Sequence, residues 1–146
     1  MQTSPIRRAN VSESVADELR TLEYGQRLLH QRRDILADPA DPARGDPGHL
    51  LFAKALTGGA RAVAQPIGAI EPGRRADLVV LDPNHPSLAG HTAATVLDAW
   101  LFTGDSTLVR DVMVAGRWII QDRRHPQEAA IWERFQATMT ALAARL

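Results

Sequence analysis

The spacing of apolar residues changes at Pro66, and this change constrains the fold more than any other feature of the sequence. Before it, apolar residues recur every three or four positions, which predicts helices over 13–37 and 48–65. An amphipathic pattern returns near Pro126 and predicts a closing helix. Between the two, short apolar runs bounded by turn residues predict strands over 67–70, 76–82, 96–102, 109–115 and 117–121. A mixed α/β fold is therefore expected.

Each predicted helix carries one apolar stripe. Ser12 is the predicted N-cap of the first helix, and Asp46 is that of the second, with Pro47 at its first position. The stripe of the first helix consists of Val15, Leu19, Leu22, Gln26 and Leu29. The buried side of the second is marked by Leu51, Ala55, Ala62 and Val63, and the closing helix presents Ile131, Phe135, Met139, Leu142 and Leu146.

The stretch "GAIEPGRRADLVVLD" (68–82) joins a turn to an apolar strand. Gly73 is expected to permit the turn, and residues 78–81 are expected to form a buried strand. Further along, "VMVAGRWII" predicts a hairpin in which Gly116 supplies the positive φ. The tryptophans lie in apolar-patterned elements and are predicted to be core aromatics: Trp100, Trp118 and Trp132.

Composition excludes several classes of function. Lys+Arg and Asp+Glu both number 17, so no excess positive charge favours a nucleic-acid or anionic-membrane partner. Without cysteine there is no thiolate metal site. No apolar segment approaches the roughly 18 residues of a membrane span, and a cytoplasmic location is expected.

The residues by themselves form no complete active site. The five histidines have no metal-binding spacing, and neither GxSxG nor a phosphate-binding glycine loop occurs. On the first helix, a polar group could face a ligand or form surface ion pairs, and the surface interpretation is favoured: Glu18, Arg20, Glu23 and Arg27.

Two stretches nevertheless resemble a known family. "IGAIEPGRRADLVVLD" and "VRDVMVAGRWIIQD" resemble the C-terminal signature of the amidohydrolase superfamily, whose members combine a metal-binding (β/α)₈ barrel with a small β-sandwich. More narrowly, "ADELRTLEYGQRLL" and "WLFTGDSTLVRDVMVAGRWIIQDRRH" are similar to the formimidoylglutamate deiminase family, which converts N-formimidoyl-L-glutamate to N-formyl-L-glutamate in histidine degradation. Thr21 replaces a tryptophan that is usual in that family.

The resemblance implies a division of the chain and a missing active site. Residues 1–9 are expected to be disordered or foreign to the family, 10–65 to be the last barrel helices, 66–123 part of the β-sandwich with exposed edge strands, and 124–146 a closing helix. The family's zinc or similar divalent ion is held by residues of the full-length enzyme. The aspartate that binds it and transfers a proton aligns with Arg8, which can do neither. Asn10, Val11 and Ser12 match the family, but no catalytic, metal or substrate-binding residue and no cofactor can be assigned to this chain.

Three hypotheses follow. The first is a C-terminal fragment of a formimidoylglutamate deiminase-like enzyme that is inactive alone, with a small-molecule substrate only in the full-length enzyme. The second is a non-catalytic interaction or structural module whose apolar stripes over 13–37 and 126–146 self-associate or bind a partner, which size-exclusion chromatography would test. The third is a fragment of another deaminase, such as guanine deaminase, which the 16–29 resemblance disfavours.

Overall fold

The computed structural model describes residues 14–33, 35–36 and 47–145. Its mixed helix and strand content confirms the fold class at that level. The helices are α1 (Val15–His30), α2 (Pro47–Val63), α3 (Val96–Asp98), which continues into the π-helical turn Ala99–Thr103, and α4 (Glu128–Ala143). The strands are β1 (Leu78–Leu81), β2 (Val109–Val114) and β3 (Arg117–Ile120), with 3₁₀ turns at Pro86–Leu88 and Ser106–Leu108. Among these helices, none has the length and apolar character needed to cross a membrane.

The chain forms two compact units. The first comprises the described residues up to Arg74 together with Asp82–Leu108, and so contains α1, α2, α3 and the π-helical turn. The second comprises Arg75–Leu81 and the described residues from Val109 onward, and so contains the sheet and α4.

Helix α1 begins and ends at local capping interactions. Ser14 is its N-cap, with the hydroxyl accepting a hydrogen bond from the Asp17 N–H at 3.3 Å. The predicted cap, Ser12, lies outside the described residues. At the other end Gln31 adopts a left-handed conformation and its N–H returns to the last turn. The helix therefore stops at His30, seven residues before the predicted end.

The packed face of α1 includes a buried charge, and three of the five residues of its apolar stripe are exposed. Ala16 and Glu23 are buried, with Glu23 only 2% exposed, so the surface interpretation of Glu23 is wrong. Leu29 on the apolar stripe is 72% exposed, and Val15 and Leu22 are also exposed. The two faces are offset by one residue along the helix, which turns one away from the other by roughly 100°.

Helix α2 starts as predicted and is packed only near its start. Pro47 is its first residue, and the Gly48 N–H donates to Asp98 Oδ1 at 2.7 Å, which satisfies one of the donors that every helix start leaves open. The predicted cap, Asp46, lies outside the described residues. Leu51 is buried as predicted, whereas Ala62 and Val63 are exposed, so the prediction of a buried side is wrong for the second half of the helix.

The strand predicted over 96–102 is wrong, because this segment is helical. A short continuous apolar run fits a buried helix as well as a buried strand, and periodicity alone does not separate them. Trp100 and Leu101 lie in the core of the first unit, with Trp100 packed edge-on against Phe52 at a ring-centroid distance of 5.3 Å.

The second unit contains an antiparallel sheet in the order β1-β2-β3. Val79 lies opposite Val112, and Met113 opposite Trp118, with one irregularity in each pairing. Ala115 and Gly116 both have positive φ at the hairpin turn, as a two-residue loop requires, and Gly73 has a φ of +85° in the turn before β1. The strand predicted over 67–70 is wrong; these residues are irregular.

Burial in the second unit is shallow. No residue of β1 is buried: Val79 is half exposed and the other three are partly exposed, so the prediction of a buried strand over 78–81 is wrong. Trp118 and Trp132 are exposed, which corrects their assignment as core aromatics, whereas Trp100 is buried as predicted. No residue of α4 within Glu128–Ala143 is buried.

Two glycines of α2 give a matched test of the packing between α2 and α3. A Cβ on Gly48 would lie 2.8 Å from the Asp98 Cα and N atoms, which are backbone and cannot move aside easily, whereas a Cβ on Gly58 meets nothing within 4 Å. We expect Gly48→Ala to lower the free energy of unfolding by about 1–3 kcal/mol. Gly58→Ala should raise it by up to about 1 kcal/mol, because alanine favours the helix. Urea denaturation of both variants measures this; equal effects would contradict the packing described.

Candidate functional site

The two aspartates that flank β1, Asp77 and Asp82, accept hydrogen bonds that hold turns. Asp77, which precedes β1, accepts from Arg75 Nε at 2.7 Å and from the Ala115 N–H at 2.8 Å. The Gly116 N–H donates to the Ala76 carbonyl at 2.9 Å beside it. Asp77 therefore ties the segment before β1 to the β2–β3 hairpin. Asp82, after β1, accepts from the Asn84 N–H at 3.0 Å and shapes the following turn.

Two further aspartates are arranged in the same way. Asp111 in β2 accepts from the Asp122 N–H at 2.8 Å and from Arg110 Nε at 2.8 Å. Asp105 accepts from both the N–H and the hydroxyl of Thr107, next to the 3₁₀ turn that leads into β2. Each carboxylate thus satisfies backbone donors in its own unit, which is a structural arrangement.

Such contacts lower the pKa of the Asp77, Asp105 and Asp111 carboxyls. For Asp77 the largest cause is the hydrogen bond from Arg75, for Asp105 the one from the Thr107 side chain, and for Asp111 the one from the Asp122 N–H. A hydrogen bond to the ionised form favours that form.

The lowered pKa values predict an acid-sensitive fold. Because each folded pKa lies below the ordinary value of 3.8, the stabilisation is complete above that value and is lost as pH falls through the folded pKa. We expect the urea midpoint to be flat above about pH 5 and to fall steadily below about pH 4. Asp77→Asn should lower the midpoint at neutral pH and reduce this acid dependence. A wild-type midpoint unchanged down to about pH 2 would contradict the role given to these carboxylates.

Three histidines are engaged in turns. His85 Nδ1 accepts from the Ser87 N–H at 3.2 Å, while its Nε2 lies 3.0 Å from the Thr107 hydroxyl. His125 Nδ1 accepts from the Gln127 N–H at 3.1 Å, and His91 Nδ1 lies 3.1 Å from the Thr95 hydroxyl. Each of these three rings thus hydrogen-bonds to a residue two or more positions away in or beside its own turn.

Within residues 14–33, 35–36 and 47–145, no group of three or more His, Cys, Asp or Glu side chains could hold a metal ion. The donors present there therefore do not fit the divalent ion that the family resemblance implies. Arg8, Asn10 and Ser12, singled out by that resemblance, lie outside the described residues.

Two arginines of α1 contact the π-helical turn and its C-cap, beside a stacked pair formed by Tyr24 and Phe102 at a ring-centroid distance of 6.0 Å. Arg20 donates from Nε to the Leu101 carbonyl at 2.6 Å and from Nη2 to the Gly104 carbonyl at 2.8 Å, and its Nη1 pairs with Asp17 at 3.2 Å. Seven residues later, Arg27 pairs with the buried Glu23 at 2.9 Å. Its guanidinium also lies 5.5 Å from the ring centroid of Phe102. The sequence showed these charges as possible helix pairs and carried no signal for the carbonyl partners 81 and 84 residues away.

An apolar groove of about 380 Å³ lies between α1, α2 and residues 35–36. Its lining is mainly aliphatic: Leu19, Leu22, Glu23, Gln26, Ile35, Leu36, Leu51, Lys54 and Ala55. In the second unit, α4 presents a second apolar face made of Ile131, Trp132, Phe135, Met139 and Leu142, all about half exposed. Among the described residues, each unit thus presents an apolar surface to solvent.

Comparisons with known proteins agree on one family. Residues 9–119 match the profile of the "Amidohydrolase family". Over 120 residues the chain is 51% identical to "Formimidoylglutamate deiminase" of Pseudomonas aeruginosa, an alignment that covers 82% of this chain and 26% of that protein. The crystal structure of an amidohydrolase from Brucella melitensis matches 91% of this chain and 28% of its own length, with 35% identity and a TM-score of 0.76. The chain therefore spans about a quarter of the length of these relatives.

Proposed function

Because this chain belongs to the amidohydrolase family, we propose that it forms a structural part of an enzyme resembling formimidoylglutamate deiminase. In this proposal α1 and α2 are the last helices around a (β/α)₈ barrel, and the sheet is part of the small β-sandwich beside it. The fragment is inactive alone, and the catalytic groups belong to the remainder of the enzyme.

The observation that carries this proposal is the inverted packing of α1. A helix of a complete globular protein packs its apolar stripe inward and leaves its charges in water. Here Arg20, Glu23 and Arg27 face the interior of the first unit, while Val15, Leu22 and Leu29 are exposed. Such a stripe suits a helix that is covered on its second side by further elements, as a barrel helix is covered by strands.

The chemistry of the described residues supports a structural role. The aspartates and histidines described above satisfy turns within their own units, and the described donors do not fit a metal ion. Any divalent metal of the enzyme therefore belongs, under this proposal, to residues other than these. The reaction proposed for the whole enzyme is hydrolysis of N-formimidoyl-L-glutamate, in which water replaces the imino nitrogen and ammonia leaves. A place in histidine degradation, a cytoplasmic location and self-association through the apolar faces remain predictions.

A chimaera tests the proposal. In the Ser14 graft, residues 14–145 of this chain replace the aligned segment of the Pseudomonas aeruginosa relative, which retains all its other residues. We expect the Ser14 graft to release ammonia from N-formimidoyl-L-glutamate within about tenfold of the relative's kcat, because it supplies the same packing surfaces around an intact site.

The control is the isolated chain, which should release no ammonia with or without added zinc. A Ser14 graft that is expressed but inactive would overturn the proposal. Ammonia release by the isolated chain would overturn the proposed structural role, since a catalytic centre would then lie within this sequence.

A further inference from the structure

We propose that Arg20 is a positioning residue for this reaction: it fixes the N-terminal end of α1 against the π-helical turn Ala99–Thr103. The inference rests on the proposed function, because it assigns Arg20 a role in the complete enzyme. It goes beyond that function by naming one residue on which the rate depends without contact with the substrate.

The geometry of Arg20 is suited to fixing two elements relative to each other. Its guanidinium bonds two carbonyls, those of Leu101 and Gly104, and one carboxylate, that of Asp17. Because the guanidinium is planar and its donors form a rigid fork, these bonds define the rotation of α1 as well as its distance from the turn. Both carbonyls lie at the C-terminal end of the helical segment, where carbonyls lack helical partners and a cation is favoured.

The turn that receives these bonds is itself held firmly. Leu101 is fully buried, and a Cβ on Gly104 would lie 2.9 Å from the Leu108 side chain and from the Trp100 carbonyl. A π-helical turn is a rare backbone form that is frequently found at functional sites. The anchor for Arg20 is therefore a tightly packed piece of the first unit.

The bonds lead from this anchor to the start of α1. Arg20 pairs with Asp17, and the Asp17 N–H donates to the hydroxyl of the N-cap Ser14. The position that aligns with the family's proton-transfer aspartate, that of Arg8, precedes Ser14 by six residues. In the Ser14 graft the relative supplies that position itself, and Arg20 fixes the helix that follows it.

Arg27 is the matched control on the same helix. It also links α1 to the π-helical segment, through its position over Phe102, and it forms an ion pair with Glu23. It lies in the last turn of α1, far from Ser14. Both arginines stabilise packing, but only Arg20 fixes the N-terminal end.

The test compares Arg20→Lys and Arg27→Lys in the Ser14 graft. Lysine keeps the charge but replaces the rigid planar fork of donors with one flexible ammonium group. We expect Arg20→Lys to lower kcat about tenfold with KM changed less than twofold, because a small misplacement near the reacting groups costs rate rather than binding. Arg27→Lys should leave both constants within about twofold, although both variants lower the melting temperature.

An Arg20→Lys graft with the kcat of the unmodified graft would overturn the inference, whatever its melting temperature. If Arg20→Lys does not fold, Asp17→Ala decides: it keeps the carbonyl bonds of Arg20 and removes the carboxylate that joins Arg20 to the first turn of α1, so an unchanged kcat would likewise overturn the inference. An inactive unmodified graft overturns the proposed function, and this inference with it. An active unmodified graft whose two lysine variants behave alike overturns this inference only.

Discussion

A longer graft that starts at Ile6 is expected to lose at least about a hundredfold of the activity of the Ser14 graft, and up to about ten-thousandfold. This Ile6 graft places Arg8 at the position where the sequence resemblance predicts the family's proton-transferring aspartate. A guanidinium stays protonated at any pH a protein tolerates, so it can accept no proton. Positive charge at that position would also oppose a metal ion bound nearby.

Two single changes in the Ile6 graft make this prediction specific. Arg8→Asp should restore the rate to within about tenfold of the Ser14 graft, because it returns the proton acceptor. Arg7→Asp changes the charge by the same amount one residue away and should leave the graft inactive. Ammonia release from N-formimidoyl-L-glutamate measures all four proteins. An Ile6 graft as active as the Ser14 graft would show that Arg8 does not occupy the aspartate's position.

A charge on the apolar stripe of α1 is expected to disrupt the complete enzyme and to leave the isolated chain almost unchanged. Leu22 is exposed in this chain and is covered by the barrel under the proposed function. In the Ser14 graft, Leu22→Asp would bury an unpaired carboxylate, which costs several kcal/mol, so we expect loss of folded, active protein. In the isolated chain the same change should alter the free energy of unfolding by no more than about 0.5 kcal/mol.

Leu28 provides the control for this second prediction. It is 80% exposed and lies on the opposite side of α1 from the stripe. Leu28→Asp should therefore be tolerated both in the isolated chain and in the Ser14 graft. Urea denaturation and the ammonia assay measure the two effects. Equal tolerance of Leu22→Asp and Leu28→Asp in the graft would mean that the stripe stays in water in the complete enzyme.

The contrast between these two leucines shows how much the sequence could predict. The helical period of α1 was visible because 3.6-residue spacing is local information. Which face packs within this chain was not predictable, because the carbonyls that accept hydrogen bonds from Arg20 lie 81 and 84 residues away in the sequence. Polar residues on a helix are ordinarily assigned to solvent. The acceptors for Arg20 are backbone carbonyls, which every residue has, so the residue types do not reveal them.

The errors in the β region have a similar origin. The strands β1, β2 and β3 were predicted because turn residues bound them on both sides. The segment 96–102 was misassigned because seven mostly apolar residues fit a buried helix equally well. In its helical form this segment contacts residues that are distant in the sequence: the Asp98 carboxylate caps α2, and Trp100 packs on Phe52.

The motif that pointed to the family, "GRRADLVVLD", has a structural role in the fold. Asp77 was recognised in "GRRADLVVLD" by resemblance, and the structure supplies a physical reason for an aspartate there, since it accepts from Arg75 and from the hairpin N–H of Ala115. The sequence around Asp77 carries no catalytic or metal-binding motif, which agrees with this structural role. The site positions named by resemblance are Arg8, Asn10 and Ser12, and their functional meaning depends on the grafts.

The most direct test of the central claim is the solvent accessibility of the α1 stripe, measured by hydroxyl-radical footprinting of the isolated chain and of the Ser14 graft. The account predicts that oxidation of Leu22 and Leu29 falls several-fold in the graft, because the rest of the enzyme covers them, while Leu28 reacts equally in both proteins. Unchanged oxidation of Leu22 and Leu29 in a folded graft would contradict the claim that this chain is the uncovered part of a larger amidohydrolase.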